Sequence, residues 1–203
     1  MEPKNQIPID ELISAEIDPT VRAWIEISQL KNLFRRGWLH AGIAAEHCES
    51  VAEHSFGVAI LCLLLLPEFS PQLDVERVLI MALLHDMGEV YAGDITPQDG
   101  LSEHAKRTAE RESVIRILGS LPAGQEYLKI WEEFETGETP EARFVRQIDK
   151  LEMGLQARIY TEQGYRDLEQ FYSSAIQALS DIELQALVVD VIPSEPAANH
   201  GVE

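Results

Sequence analysis

Residues 50–67 read SVAEHSFGVAILCLLLLP, and this stretch decides the fold. Ser50 with Glu53 three positions on matches a capping box, in which side chain and backbone at a helix start satisfy each other's polar groups. The apolar run Val58–Leu66 follows, less than half the length a membrane span needs. It predicts a helix buried inside a bundle, running to Pro67, and no membrane partner. On that helix His54 shares a face with Val51, Val58, Leu61, Cys62 and Leu65. Such an imidazole is either a satisfied core histidine or a ligand.

Helical signals continue on both sides. Asp18-Pro19 reads as an N-cap followed by proline at the first helical position. The helix it opens carries Val21, Trp24, Ile25, Ile27, Leu30 and Leu33 and stops near Arg35-Arg36-Gly37, with an irregular segment from Gly37 to Glu49. Asp74 caps a helix with the stripe Val75, Val78, Leu79, Ala82 and Leu83, and Gly88 and Gly93 punctuate its end. Further helices are expected over Ser102–Leu118, Pro122–Phe134, Thr139–Thr161, Asp167–Leu179 and Ser180–Val191, the last with a second capping box, Ser180 with Glu183. No repeat and no alternating strand pattern interrupts them. The expected fold is therefore all-α. A single domain spans residues 18–192, with an extension at 1–17 and a disordered tail at 193–203.

Composition narrows the function. The chain has 203 residues, 45% apolar and 25% charged, ordinary globular values. Acids outnumber bases 35 to 16, a formal charge of −19, which argues against partners bound through many phosphates, such as nucleic acid or an anionic membrane. A small anion remains allowed, because a local site can invert the global field. Two cysteines without a CxxC pattern, and a start lacking a signal peptide's features, point to a reducing cytoplasm.

Four polar residues break the apolar pattern where it is strongest: His54, His85 and Asp86 at the end of the second stripe, and Asp149 between Val145 and Met153. An unpaired buried carboxylate costs several kcal/mol, so each needs a partner. Two imidazoles and two carboxylates from three helices suit one divalent metal in a mixed nitrogen–oxygen shell. Glu89 lies one turn after His85 and suits a general acid or base. Asp94 precedes Ile95-Thr96-Pro97, a loop able to bring a carboxylate, a hydroxyl and backbone N–H groups over a ligand. Lys31, Arg35 and Arg36 form the tightest basic cluster of the first hundred residues; an arginine there can grip phosphate in two-pronged fashion, and Trp38 offers a flat face for a base or sugar. Lys106, Arg107, Arg111 and Arg116, interleaved with glutamates, read as a charge-laced exposed helix. Asp149-Lys150 can also be read as a surface pair.

The strings VAEHSF (51–56), LLHDMGEVYAGDI (83–95) and FVRQIDKLEM (144–153) resemble the signature of the HD-domain metal-dependent phosphohydrolases. The stretch WEEFETGETPEARFVRQIDKLEM (131–153) is similar to their 5′-deoxynucleotidase branch, of the bacterial YfbR kind and the eukaryotic HD domain-containing protein 2 kind. The resemblance covers residues 20 to 190 and implies an all-α fold, commonly homodimeric. It implies His54, His85, Asp86 and Asp149 as ligands of one divalent ion (Mn, Co, Fe or similar), and Glu89 as the catalytic glutamate. Asp94 to Pro97 becomes a substrate loop and Arg35 the phosphate-orienting arginine. Two residues separate Arg35 from Trp38, where the bacterial members have none, a departure from the family pattern at the sugar site. The activity expected is hydrolysis of a 2′-deoxynucleoside 5′-monophosphate to nucleoside and phosphate. Two alternatives stand beside it: an HD hydrolase of nucleoside triphosphates or alarmone-type nucleotides, and a non-catalytic helical binding module. The few basic residues evident near the site favour a monophosphate.

Overall fold

A computed structural model describes residues 17–96 and 99–192. The expected extension before Ile17, Pro97 of the substrate loop, and the expected tail from 193 lie outside the described residues. Within them the chain is all-α, as expected. Helices run Pro19–Ile27 (α1), Arg36–His40 (α2), Val51–Phe69 (α3), Val75–Leu84 (α4), Glu89–Ala92 (α5), Glu103–Leu118 (α6), Gly124–Thr136 (α7), Pro140–Glu162 (α8), Glu169–Ala178 (α9) and Ile182–Val189 (α10).

The capping signals explain most of the starts. Ser50 Oγ accepts from Glu53 N–H, while the Glu53 carboxylate accepts from Ser50 N–H at 2.7 Å, closing the box that opens α3. Asp18, Asp74, Ser102 and Thr139 each accept from backbone N–H groups of the turn they precede. The second box does not form. Asp181 caps α10 instead, accepting from Glu183 and Leu184, and Ser180 is drawn off by Gln147 Oε1, which accepts from its N–H and hydroxyl.

Three other boundaries or faces differ. The first helix gives way after Ile27 to a 3-10 turn over Ser28–Lys31, where the Ser28 hydroxyl donates to Ile25 O and competes with the helical ladder. Its apolar stripe faces outward at Val21 (46% exposed) and Trp24 (63%), because Ala23, the buried Glu26 and Leu30 face the interior. Val75 and Leu83 of α4 are likewise exposed, and Met81 takes the inner position. The segment expected to be irregular contains α2.

α3 and α8 run through the middle. α3 packs on α4 and α8, and α8 also meets α4, α7, α9 and α10. Val58, Cys62, Val78, Met81, Ile148 and Leu151 are fully buried between them, each large aliphatic contributing about 1.5–3 kcal/mol. α3 is long and apolar enough, by length and composition alone, to cross a membrane. Here it is the central helix of a bundle, with one face on α4 and α8.

Two local features aim the polar residues. The chain before α2 pairs with the chain before α3: Phe34 bridges Ser50, Arg35 N–H donates to Glu49 O and Val51 N–H to Leu33 O. Arg35 is thereby fixed beside the start of the helix that carries His54. Gly88, just before α5, packs so tightly on α6 that a Cβ would lie 2.6 Å from Glu110 Cβ and 3.0 Å from its Cα. A side chain there must push α5, and Glu89 with it, off α6. Gly88→Ala is expected to cost about 1–3 kcal/mol as an overpacked contact. Thermal unfolding checks this, with a fall of about 2–4 °C expected per kcal/mol.

Candidate metal centre

Each histidine of the pair is oriented by its far nitrogen. His54 Nδ1 lies 2.7 Å from Glu152 Oε2, and His85 Nδ1 lies 2.8 Å from Ala82 O. A carboxylate and a carbonyl can only accept, so both Nδ1 atoms carry the proton and both Nε2 atoms turn lone pairs inward. Those Nε2 atoms face each other at 3.4 Å. Around them stand Asp86 Oδ2, 3.2 Å from His85 Nε2 and 3.6 Å from His54 Nε2, and Asp149 Oδ1, 3.2 Å from His54 Nε2. Two lone pairs and two carboxylate oxygens converge with no hydrogen to share, and only a cation satisfies such a set. Burial and the Arg35 charge disfavour a proton on His54, yet bonds to Asp149 and Glu152 outweigh them and raise its pKa to about 9. A proton fills the role when nothing larger does. The donor set therefore fits a divalent ion in a nitrogen–oxygen shell.

The carboxylates around this point divide into two kinds. Burial works to raise Asp86 and Asp149, but positive neighbours win. His85 and Arg35 hold Asp86 below the usual carboxylate range, and Lys150 and His54 hold Asp149 well below it. Glu89 behaves oppositely: burial, then the charges of Asp86 and Asp94, hold its carboxyl well above that range against the pull of Arg35 and Lys106. Glu89 is buried, and its Oε2 has no hydrogen-bond partner among the described residues. A carboxyl shifted toward its neutral form, with a free oxygen beside the ligand cluster, is suited to proton transfer.

Arg35 reaches the same place, Nη1 at 3.4 Å from Asp86 Oδ2, with four carboxylates raising its pKa despite burial. Arg36 does not: its backbone N–H donates to Asp94 Oδ2, its Nη1 to Asp94 O, and its guanidinium grips Asp99 at 2.8–2.9 Å. It clasps the loop after α5 onto the start of α2. Lys31 is also elsewhere, over the Trp24 ring.

Two cavities meet here. One, of about 400 Å³, contains His85, Asp86, Glu89 and Asp149, with Lys106 and Arg107 on its α6 wall. The other, of about 500 Å³, is lined by Trp38, His40, Ile95, Thr96, Met153 and Phe171 among others. Arg35, Asp94 and Lys150 line both. Trp38 is only 2% exposed; Phe171 lies tilted against its ring at 4.0 Å and its Nε1 donates to Glu49. It forms a wall of the second cavity and has no face free for stacking. His54, His85, Asp86, Glu89, Asp149, Arg35 and Asp94 thus come together, and Ile95, Thr96 and Trp38 border the adjoining space.

Several residues here escaped the sequence reading. Glu152, which orients His54, sits three residues after Asp149 on α8, a spacing that marked it as a neighbour on the same face. Trp131 donates its Nε1 proton to His85 O. Lys106 is no solvated helix charge: its Nζ meets Ile95 O at 3.3 Å and Glu110 at 3.6 Å. Lys150 does pair with Asp149, at 2.9 Å, but inside the junction of the cavities.

Comparison with known proteins agrees with this geometry. The HD domain family model matches residues 27–187. Among curated proteins, 5′-deoxynucleotidase HDDC2 of Homo sapiens is 32% identical over 81% of this chain and 80% of its own length. 5′-deoxynucleotidase hdd1 of Schizosaccharomyces pombe is 38% identical over 71% and 75%. Among solved structures, a conserved hypothetical protein of Pyrococcus furiosus is 31% identical with a TM-score of 0.70, covering 84% of this chain and 98% of its own. A protein named as a predicted metal-dependent phosphohydrolase of Magnetospirillum magnetotacticum MS-1 is 26% identical with a TM-score of 0.66, covering 85% and 89%. The chain belongs to the HD domain family.

Removing the buttress behind His54 tests the centre. Glu152→Ala is expected to lower affinity for a divalent ion about 10–100-fold while leaving the helical content intact. Calorimetric metal titration alongside circular dichroism measures both.

Proposed function

We propose that this chain hydrolyses nucleoside 5′-monophosphates, 2′-deoxy ones above all, to nucleoside and phosphate. The observation that carries the reading is the meeting of the two cavities at Arg35, Asp94 and Lys150, with the converging donor set on one side and a less polar space on the other. Relatives named 5′-deoxynucleotidases over about 80% of the chain support it. A scissile phosphate at the junction touches the ligand cluster, while its nucleoside extends between Trp38, Ile95, Thr96 and Phe171.

His54, His85, Asp86 and Asp149 would hold one first-row divalent ion, Mn, Co, Fe or similar. When bound, the ion supplies a water of lowered pKa and screens the phosphate charge. The rest falls to the chain itself. Arg35 neutralises the equatorial phosphate oxygens as charge shifts in the transition state. Glu89, whose burial among Asp86 and Asp94 favours its protonated form, is placed to give a proton to the leaving 5′ oxygen. Asp94 holds the start of α2 in register beneath the phosphate, through its bond from Arg36.

The count of cations no longer argues for a monophosphate. Lys106, Arg107, Arg146 and Lys150 also line the first cavity, so a longer phosphate chain has partners too. The choice of a monophosphate over a longer phosphate chain rests on relatives named 5′-deoxynucleotidases. A panel of deoxy- and ribonucleotides, as mono- and triphosphates, separates the readings. On the same panel Asp86→Ala is expected to lose both bound metal and phosphate release. Glu89→Gln is expected to retain metal and lose turnover by about 10²–10⁴-fold. A Glu89→Gln protein without metal would make Glu89 a ligand instead.

The working form we propose is a cytoplasmic homodimer. Both cysteines are free and buried, which suits a reducing compartment. Phe56 (65% exposed), Ile60, Leu63 and Leu64 (65%) form an apolar strip along the outer face of α3, and a second copy would cover it. Phe56→Glu with Leu64→Glu is expected to yield monomers; light scattering that gives the same mass for variant and wild type would count against this interface.

A further inference from the structure

We propose that Lys150, Arg146 and Arg143, successive cations on one face of α8, form a phosphate-binding strip that grips the substrate's anionic group opposite Arg35 and continues to the surface. The identity of the anion rests on the hydrolysis proposed above; the strip itself rests on four observations.

The first is position. Lys150 lines the ligand cavity, the nucleoside cavity and a third cavity of about 320 Å³ on the flank of α8. Lys150 is the one residue that all three cavities share. The second is spacing: 143, 146 and 150 are separated by three and four residues, so their side chains stack along one helix face. The third is charge. The third cavity is walled by these three cations together with Gln147 and Ser180, and no carboxylate lines it; Lys150 alone of the three also meets a carboxylate, Asp149 at 2.9 Å, on its other side. In a chain of formal charge −19, a cavity with three positive groups and no negative one is the exception.

The fourth is construction. Gly137, at φ +66 after α7, leaves room for Arg146, whose Nη1 would lie 2.6 Å from any Cβ there. Among the described residues neither Arg143 nor Arg146 has a carboxylate within ion-pair distance; Arg143 donates to the carbonyl of Glu138 at 2.6 Å. Gln147, between Arg146 and Lys150 in the chain, ties α8 to the start of α10 by accepting from Ser180 and Asp181. These guanidinium groups retain donors for an anion. The acidic remainder of the surface repels a dianion weakly, since salt screens charges beyond about 8 Å, whereas a cation inside the cavity acts at contact distance. Arg36, by contrast, is spent on Asp94 and Asp99.

The test uses inorganic phosphate and a deoxynucleoside monophosphate on the metal-loaded protein. Lys150→Gln, Arg143→Gln with Arg146→Gln, and the triple variant are compared with wild type at low and high salt. Calorimetry is expected to show phosphate binding weakened about five-fold in the double variant and at least about ten-fold in the triple, with a flatter salt dependence. KM is expected to rise by more than kcat falls. Phosphate affinity and KM of a folded triple variant within about two-fold of wild type at low salt would overturn the strip. The phosphate titration needs no turnover. If wild type hydrolyses no nucleotide yet binds phosphate through these residues, the strip stands and the hydrolase reading fails; if it hydrolyses nucleotides and the variants match it in both measurements, the strip alone fails.

Discussion

Two imidazole nitrogens face each other at 3.4 Å with their other nitrogens already committed as donors. Lone pairs in that position repel unless something positive sits between them. This constraint organises the molecule. It requires that Asp86 and Asp149 be close, that both stay ionised despite burial, and that His54 and His85 be held against rotation. The helices meet these demands separately: α3 brings one imidazole, the end of α4 brings the other with its neighbouring carboxylate, and α8 brings the last ligand together with Glu152.

The apolar packing is the means. Val58, Cys62, Val78, Met81 and Ile148 lock α3, α4 and α8 at fixed spacing, so the polar groups between them cannot relax apart. Contacts further out secure the same atoms. Trp131 holds the carbonyl of His85, and the backbone pairing of residues 33–35 with 49–51 sets Arg35 beside α3. The contact of Gly88 with Glu110 sets the distance at which Glu89 faces Asp86 and Asp94. Opposite environments then give two carboxyl groups different work: cations favour the charged form of Asp86, while burial among anions favours the neutral form of Glu89.

The sequence made the helices legible because their starts are written in caps, at Asp18, Ser50, Asp74, Ser102 and Thr139. The polar residues within the apolar stripes were legible because a core cannot tolerate them without a reason. Faces were harder. Trp24 and Val21 read as core, since hydrophobicity alone cannot say that a buried Glu26, met by Tyr91 and Arg22, claims the inner side. The supporting residues were hardest. Glu152 and Lys150 look like ordinary surface charges on a polar helix until the third dimension places them. Arg36 looked like a second phosphate ligand, because its partner Asp99 is 63 residues away. The prominent acidity of the chain likewise concealed that cations from three places, Arg35, Lys106 and Arg107 on α6, and Arg146 and Lys150 on α8, line one cavity.

α8 deserves a last consideration as a mechanical part. One uninterrupted helix carries Arg143, Arg146, Asp149, Lys150 and Glu152, so their mutual angles are set by backbone geometry and by nothing else. Each residue added to or removed from it rotates everything downstream by about 100°. The outer surface of such a helix can drift freely in residue type, while its register is frozen between the Thr139 cap and Glu152. Length variation in relatives of this chain should consequently accumulate in the connections around α8 and be absent from its first three turns, a rule about gaps that no inspection of individual residues supplies.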